Sequence, residues 1–427
     1  MTEKIYQLGI DIGNRLVKVM GDENETPLIY PASLARYEEV SYVFNNNIDY
    51  LENNDFKIFS LKENDEQSCY VWGKKLFKFG QEVIDTNGTG GLRSSDRLYR
   101  ELVLFAIANY AEGLYDRNLT DKVVLSVAMG MPDDEYFSEA ANHFASINWL
   151  IGTHVVYIDN LPIEFEIRKM EVMPQEFGSL VLYEKLQGGI NPDVRTMVID
   201  YGGVTRLRTV YDGFQQREMY QDTSGVNQLI QVLVNRLKDE GIKNNRRNNR
   251  INIQEMLMSQ NFKLKTGVNK EKDFSEIFQK ETKAYTRKRF EDDLYSGQNF
   301  NNIDLIILTG GGANLLEESL YSSLVSELWV PESPETANVR GFYEYLKYNS
   351  DDIDKAEDIT FNIGDQVKIS DRAEIEANGY DLKPHRNWIG EIIEITKIED
   401  EENSYTVQYP SGEQNLYVNE KDLISLD

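Results

Sequence analysis

The sequence predicts an α/β fold built as two halves facing a common cleft, followed by a small all-β module. Three glycine turns, each set where an apolar strand ends, carry the first part of that expectation. A change of composition near residue 350 carries the second. The first turn lies in LGIDIGNRLVKV, where Asp11 precedes Gly13 and Asn14. The second lies in TMVIDYGGVTRLRT, where Asp200 precedes Gly202 and Gly203. The third, Thr309-Gly310-Gly311-Gly312-Ala313-Asn314, closes the apolar run Ile303 to Leu308, which only Asp304 interrupts.

Taken in order, residues 5–20 read as two short strands around Gly13-Asn14, a hairpin. Residues 36–72 are rich in Asn, Asp, Glu and Tyr and read as a variable surface subdomain. Ser94-Ser95-Asp96 caps a helix to about Leu114, with Leu98, Leu102, Phe105 and Ala106 on one face. Val123 to Ala128 is a buried strand followed by Gly130-Met131-Pro132. Phe165 to Met173 is another, leading into Pro174-Gln175-Glu176. The second half opens at Met197. Asp222 to Gly225 precedes an amphipathic helix with Val226, Leu229, Ile230, Leu233, Val234 and Leu237 on one face. A polar helical region runs on to about Leu294, and the third turn is expected to open a helix. Ser350 to Thr360 reads as an acidic linker. Beyond it, Phe361–Ile369, Trp388–Ile398 and Tyr405–Tyr409 alternate as strands, with Pro410-Ser411-Gly412 as a turn.

The bulk properties exclude several classes. The chain has 427 residues, 41% of them hydrophobic and 27% charged, enough for two or three domains with real cores. Mean hydropathy is −0.51 and no apolar run has membrane-spanning length. The amino terminus lacks the pattern of a signal peptide, so a cytoplasmic protein is expected. Cys69 is the single cysteine and the histidines number three, His143, His154 and His385, which argues against disulfides and against Cys- or His-based metal centres. A net charge of −27 opposes direct nucleic-acid binding. The basic run Lys243 to Arg250 is read as an exposed loop rather than a phosphate-binding patch.

The turns themselves suggest chemistry. Asp11 can hold the water shell of Mg²⁺, which usually keeps several waters when bound. Gly13 and Asn14 leave backbone N–H groups for phosphate oxygens, and Lys18 can place a point charge against a phosphate. Asp200, Gly202, Gly203 and Thr205 repeat that logic. Gly310, Gly311, Gly312 and Asn314 would let an adenosine lie against the backbone. Each turn alone also fits a plain exposed hairpin; the set of three points to a nucleotide. No Gly-Lys-[Ser/Thr] closes any of them, and Thr86 to Ser95 is read as a surface loop rather than a phosphate loop.

These residues resemble the actin-fold ATPases, the superfamily of actin, the heat-shock chaperones and the sugar kinases. Within it the likeness is to the bacterial plasmid-segregation actins of the ParM type. Asp11-Ile12-Gly13-Asn14 with Lys18 is similar to the first phosphate motif, Val198 to Thr205 to the second, and Leu308 to Leu316 to the adenosine motif. Val172-Met173-Pro174-Gln175 is similar to the first connecting segment. The resemblance covers residues 5–347. It implies two ribonuclease-H-like domains, 1–173 (with an insertion at about 36–93) and 174–347, then a linker at 348–360. Residues 361–427 resemble an SH3-like, KOW-type barrel.

What the resemblance implies for function is a polymerising ATPase that binds ATP/ADP with Mg²⁺, with GTP as an open alternative. It would position plasmid or other DNA through a DNA-binding adaptor. Gln175 would orient the attacking water, Asp11 and Asp200 would hold the metal through water, and Gly225 would face the ribose. Glu281, beside Lys280, corresponds to an adenine contact, although the residues alone read as a charged helix face. The chain departs from the plasmid actins in two places. Gln175 stands where Glu is frequent, and Arg206-Leu207 stand where another aspartate is common. Glu176 is read as a solvated charge. Two other classes compete. A small-molecule kinase would use Asp133 or Asp134 as its base, although both fit a helix cap better. A non-catalytic interaction protein would work through its carboxy-terminal module. That module has fifteen acidic and six basic residues, so a protein partner is expected and no nucleic acid or membrane.

Overall fold

The computed structural model describes residues 4–45, 56–63, 66–76, 79, 83–85, 96–116, 122–131, 136, 148–189, 193–242, 250–267, 270–295 and 302–353, then the strand segments 366–369, 376–377, 392–399, 404–408, 415–419 and 423–425. Thr86 to Ser95, Asp133, Asp134, Lys243 to Asn249 and the turn at Pro410 lie outside the described residues, so those readings have no structural counterpart here. The chain divides into two compact units, Met1–Asn349 and Ser350–Asp427.

In the larger unit, apolar strands assemble two sheets on one plan. The first contains β1 (Ile5–Ile12), β2 (Leu16–Gly21), β3 (Leu28–Pro31), β4 (Ser33–Arg36), β5 (Lys57–Glu63), β6 (Glu66–Trp72), β7 (Val83–Asp85), β8 (Val123–Met131), β9 (Gly152–Ile158) and β10 (Leu161–Pro174). Their order is β3-β2-β1-β8-β10-β9-β5-β6-β4-β7. The second contains β11 (Arg195–Tyr201), β12 (Arg206–Asp212), β13 (Gln215–Asp222), then β16 (Leu305–Thr309) and β17 (Glu327–Trp329), in the order β13-β12-β11-β16-β17. Between them in sequence lies a separate hairpin, β14 (Lys263–Gly267) and β15 (Lys270–Asp273), within the stretch read as a polar helical region. In both sheets an antiparallel meander, β1-β2-β3 or β11-β12-β13, lies beside a parallel strand, β8 or β16. The repeated plan places Asp11 and Asp200 at the same point, the end of the first strand of each meander.

Helices complete the layers. α1 (Tyr37–Asn45) and α2 (Arg97–Asp116) serve the first sheet. Asp96 caps α2 by accepting the Tyr99 N–H at 3.1 Å, as its sequence predicts. Leu102, Phe105 and Ala106 are buried as expected, but so are Val103, Leu104, Ile107 and Tyr110, all within one core. Phe56, Phe59, Val71 and Trp72 belong to that same core. Residues 36–72 are therefore in part an extension of the first sheet, not a surface appendage.

α3 (Phe177–Gln187) follows β10, and α4 (Asn227–Asp239), α5 (Arg250–Ser259) and α6 (Ser275–Tyr295) form the far side of the second half. Leu229, Ile230, Leu233, Val234 and Leu237 of α4 are buried against Ile253, Met256, Leu257 and Phe278. α7 (Glu318–Ser322) is short. α8 (Ala337–Ile353) sends Phe342 and Leu346 into a cluster with Ala128 and Met173. No helix among the described residues is long and apolar enough to cross a membrane. The smaller unit holds β18 (Gln366–Ile369), β19 (Glu376–Ala377), β20 (Ile392–Glu399), β21 (Ser404–Gln408), β22 (Asn415–Asn419) and β23 (Leu423–Ser425). They form one antiparallel six-stranded sheet, β19-β22-β21-β20-β18-β23.

Candidate functional site

The two meander turns and the third glycine turn converge on one cleft of about 1200 Å³. Gly13, Asn14, Lys18, Gln175, Asp200, Gly202, Gly203, Thr205, Gly310, Gly311 and Asn314 all line it. Residues 300 positions apart in sequence meet there because each turn ends a central strand of its sheet.

Its polar floor is a chain of charge. β1 pairs with β2 so that Asp11 faces Lys18, and Nζ lies 2.7 Å from Asp11 Oδ2. Gln175 Nε2 donates to Asp11 Oδ1 at 3.3 Å, which leaves its amide oxygen as the group able to accept from a water. Asp11 is fully buried. Lys18 is also buried, which disfavours its charge, but Asp11, Asp200 and Glu335 outweigh burial and hold its pKa above the ordinary lysine value. Asp200 is pushed the other way. Burial dominates and raises its carboxyl to about 6; Lys18 and the Asn338 hydrogen bond oppose this, while Asp11 and Glu176 add to it.

Asn338 and Ser179 fix Asp200. Asn338 Nδ2 donates to Asp200 Oδ2 at 2.9 Å, and Ser179 Oγ donates to Asn338 Oδ1 at 2.5 Å, which sets the orientation of that amide. Gly310 has φ 84°, and a Cβ there would stand 2.1 Å from Asp200 Oδ1. Both the left-handed backbone and the close approach require glycine.

Four expected contacts are revised by the structure. Gly225 does not line the cleft. A Cβ on it would meet Gly202 O at 2.6 Å, and its N–H donates to Val204 O, so it braces the second turn from behind. Gly312 likewise packs on Tyr201 and Val226, its N–H donating to Tyr201 O at 2.8 Å. Glu281 turns to α4, where its carboxylate accepts from Arg236 Nε at 2.8 Å, as befits a charged helix face. Finally, the third turn does not open an α-helix: Ala313–Leu315 is one 3₁₀ turn and Leu316 is extended. The helix-dipole argument for that turn therefore falls.

Glu176 also differs from its reading as a solvated charge. It is fully buried; Tyr211 donates to Oε1 at 3.1 Å, and Oε2 has no hydrogen-bond partner among the described residues. An unmatched buried carboxylate costs stability. Glu176→Gln is therefore expected to stabilise the protein near pH 7 by about 1 kcal/mol, read as a higher midpoint in calorimetry. A lower midpoint would show that the charge is matched after all. Arg206, noted for standing where an aspartate is common, is buried behind the turn and paired with Asp222 at 2.6 Å and Asp293 at 2.9 Å.

Leu315, within the adenosine motif, also lines the cleft; the sequence did not point to the rest of the lining: Arg15, Leu16, Gln254, Leu257, Gln260 and Glu335, with Val226 and Ile230 from the core face of the α4 segment. Leu257, Gln260 and Leu315 also line an adjoining hollow of about 680 Å³, with Phe262, Phe278, Gln279 and Lys283. Apolar walls with a few amides suit a planar heteroaromatic ring.

With that geometry in place, comparisons decide the fold. Residues 9–178 match the family model described as actin like proteins N terminal domain. The archaeal actin homolog Ta0583 superposes with a TM-score of 0.63 at 19% identity, covering 81% of this chain and 100% of that one. The chain has an actin-like fold. No curated protein matches it. Bacillus thuringiensis ParM, solved with ATP, matches this actin-like chain with a TM-score of 0.61 at 14% identity over 82% of it and 100% of the ParM chain. A 15-stranded ParM filament from Clostridium botulinum matches with a TM-score of 0.58 at 19% identity, over 81% and 100%. Each neighbour is matched over its full length, while about a fifth of this chain lies outside each match.

Proposed function

We propose that the chain is an ATPase that binds a nucleoside triphosphate with Mg²⁺ in this cleft and couples its hydrolysis to assembly into filaments. The observation that carries this reading is that Lys18, Gln175 and Asp200 line one cleft between two glycine turns, with Asp11 buried and bonded to both Lys18 and Gln175. Catalysis of phosphoryl transfer is mostly positioning and charge neutralisation. Lys18 and backbone N–H groups of the two turns would hold phosphate oxygens, though not that of Gly13, which, contrary to expectation, donates to Leu16 O at 2.9 Å. The Gln175 amide oxygen would orient the attacking water; as a weak base it predicts slow turnover. The adjoining apolar hollow would take the base.

Asp11 and Asp200 fit a hydrated Mg²⁺. No group of three or more His, Cys, Asp or Glu gathers among the described residues, so an all-protein cage is not built there. Two carboxylates plus substrate phosphates is the usual donor set for Mg²⁺, and the raised pKa of Asp200 marks a carboxylate whose charge is not yet balanced. Bound there, the ion would neutralise charge on the phosphates.

The neighbours solved as filaments support self-association; the DNA cargo and an adaptor protein remain inferences from the ParM likeness. The acidic carboxy-terminal unit, read as an SH3-like barrel, would contact a basic adaptor or a neighbouring subunit. Sedimentation and light scattering with Mg²⁺ and ATP, against ADP and no nucleotide, test the reading. ATP-dependent pelleting followed by phosphate release is expected. No pelleting across salt and protein concentration, with ATP bound, would remove the filament from it.

A further inference from the structure

Arg15 occupies the turn between β1 and β2, next to Gly13 and Asn14, which line the cleft. Its main chain is fixed, with Ala32 N donating to Arg15 O at 2.7 Å. Its side chain leaves its own half of the molecule and crosses to the other. The stem lies on Gly203, where an added Cβ would stand 2.8 Å from Arg15 Cδ and 3.2 Å from Cγ. Beyond the stem, the guanidinium donates through Nη1 to Gln254 Oε1 on α5. Arg15 therefore lies between the two glycine turns and lines the cleft, as does Gln254.

The other cation lining the cleft is Lys18, already paired with Asp11 at 2.7 Å. Gln254 is a neutral acceptor. Hydrogen bonds from a guanidinium to phosphate are shorter and roughly twice as strong as those between neutral groups, and are frequently bidentate. We propose that Arg15 is a phosphate-contacting residue held by Gln254 in the conformation seen here, and that a bound nucleotide displaces Gln254 as its partner. The contact between the two walls is then exchanged for one between wall and substrate, rather than added to it. This rests on the nucleotide reading of the cleft.

Competition gives the proposal a sign that a purely structural strap lacks. Titrations would use ATP, ADP and adenosine with the full chain, Arg15→Gln, Arg15→Lys, Gln254→Met and the Arg15→Gln/Gln254→Met double variant, each checked for folding by circular dichroism. Arg15→Gln is expected to weaken ATP and ADP by about 10- to 100-fold, the range for one charged hydrogen bond. It should leave adenosine unchanged, and Arg15→Lys should recover part of the loss. Gln254→Met, which keeps length but removes the acceptor, is expected to tighten ATP severalfold, and to have no such effect when Arg15 is already Gln. Equal losses for ATP and adenosine would overturn the proposal. So would weaker ATP binding by Gln254→Met in both backgrounds, which would make Gln254 itself the ligand contact. Failure of the unaltered protein to bind any of the three would instead sink the nucleotide reading, and this proposal with it.

Discussion

Asp200→Asn is expected to stop phosphate release and, in the absence of nucleotide, to make the protein more stable at neutral pH. Both effects come from the same burial. Asp200 is 4% exposed, its carboxyl is raised to about 6 chiefly by burial, and Lys18 compensates only in part. A carboxyl raised in the folded state binds protons that the unfolded chain, with an ordinary value near 3.8, has already lost. Its favourable contribution is thus complete below about pH 4 and is lost as pH rises through about 6. By pH 7 the ionised group costs roughly 3 kcal/mol relative to its unfolded form. An asparagine avoids that cost and still accepts from Asn338. It supplies no negative charge to a cation, so phosphate release should fall on the order of 100-fold or more, the effect of losing one preorganised electrostatic group. Phosphate release and thermal melts from pH 5 to 8, on both proteins, check this. Release at the parent rate would remove Asp200 from the chemistry. Melting curves that shift in parallel with pH would remove the unbalanced charge.

Asp11, Lys18 and Asp200 were legible in the sequence because their placement is local. An aspartate at the end of an apolar strand, followed by a glycine turn and a returning strand, reaches the same place whichever chain it sits in. The repeated meander turns that local signal into a pair. Burial at a distance was not legible. Glu176 looks like a surface charge until Tyr211, from β12, is brought over it. Glu281 fits a binding motif by type, but Arg236, 45 residues away, takes its carboxylate. The polar content of residues 36–72 hides Phe59, Val71 and Trp72, which enter the first core only because β5 pairs with β9. The wall of the cleft formed by Gln254, Leu257 and Gln260 comes from α5 and the turn that ends it, and the sequence of α5 lacks a clear apolar stripe and so announces neither a helix face nor a site. In the third turn, three consecutive glycines were read as a helix entrance, whereas the N–H groups of Gly310 and Gly312 donate to Pro334 O and Tyr201 O.

Gly341→Ala is expected to have the largest effect on stability, and through stability on the site. α3 and α8 cross at two glycines. A Cβ on Gly341 would stand 1.6 Å from Gly178 O, and one on Gly178 would stand 2.3 Å from Asn338 O. Backbone lies against backbone there, so no side chain can turn aside and the helices must part. Overpacking of this kind costs about 3 kcal/mol or more, which for a unit this large lowers the melting midpoint by roughly 4 °C or more. The same crossing holds the side chains that fix Asp200, because Asn338 lies one turn before Gly341 on α8 and Ser179 follows Gly178 on α3. Parting the helices therefore pulls the Asn338 amide from Asp200 as well as loosening the core around Phe342. The variant should lose stability and phosphate release together, and nucleotide should restore less of the melting midpoint than it does for Asn338→Ala, which removes the amide without moving the helices. A Gly341→Ala protein that melts with the parent would mean that α3 and α8 separate freely. The crossing would then be a hinge between the two halves rather than the clamp that its backbone contacts describe.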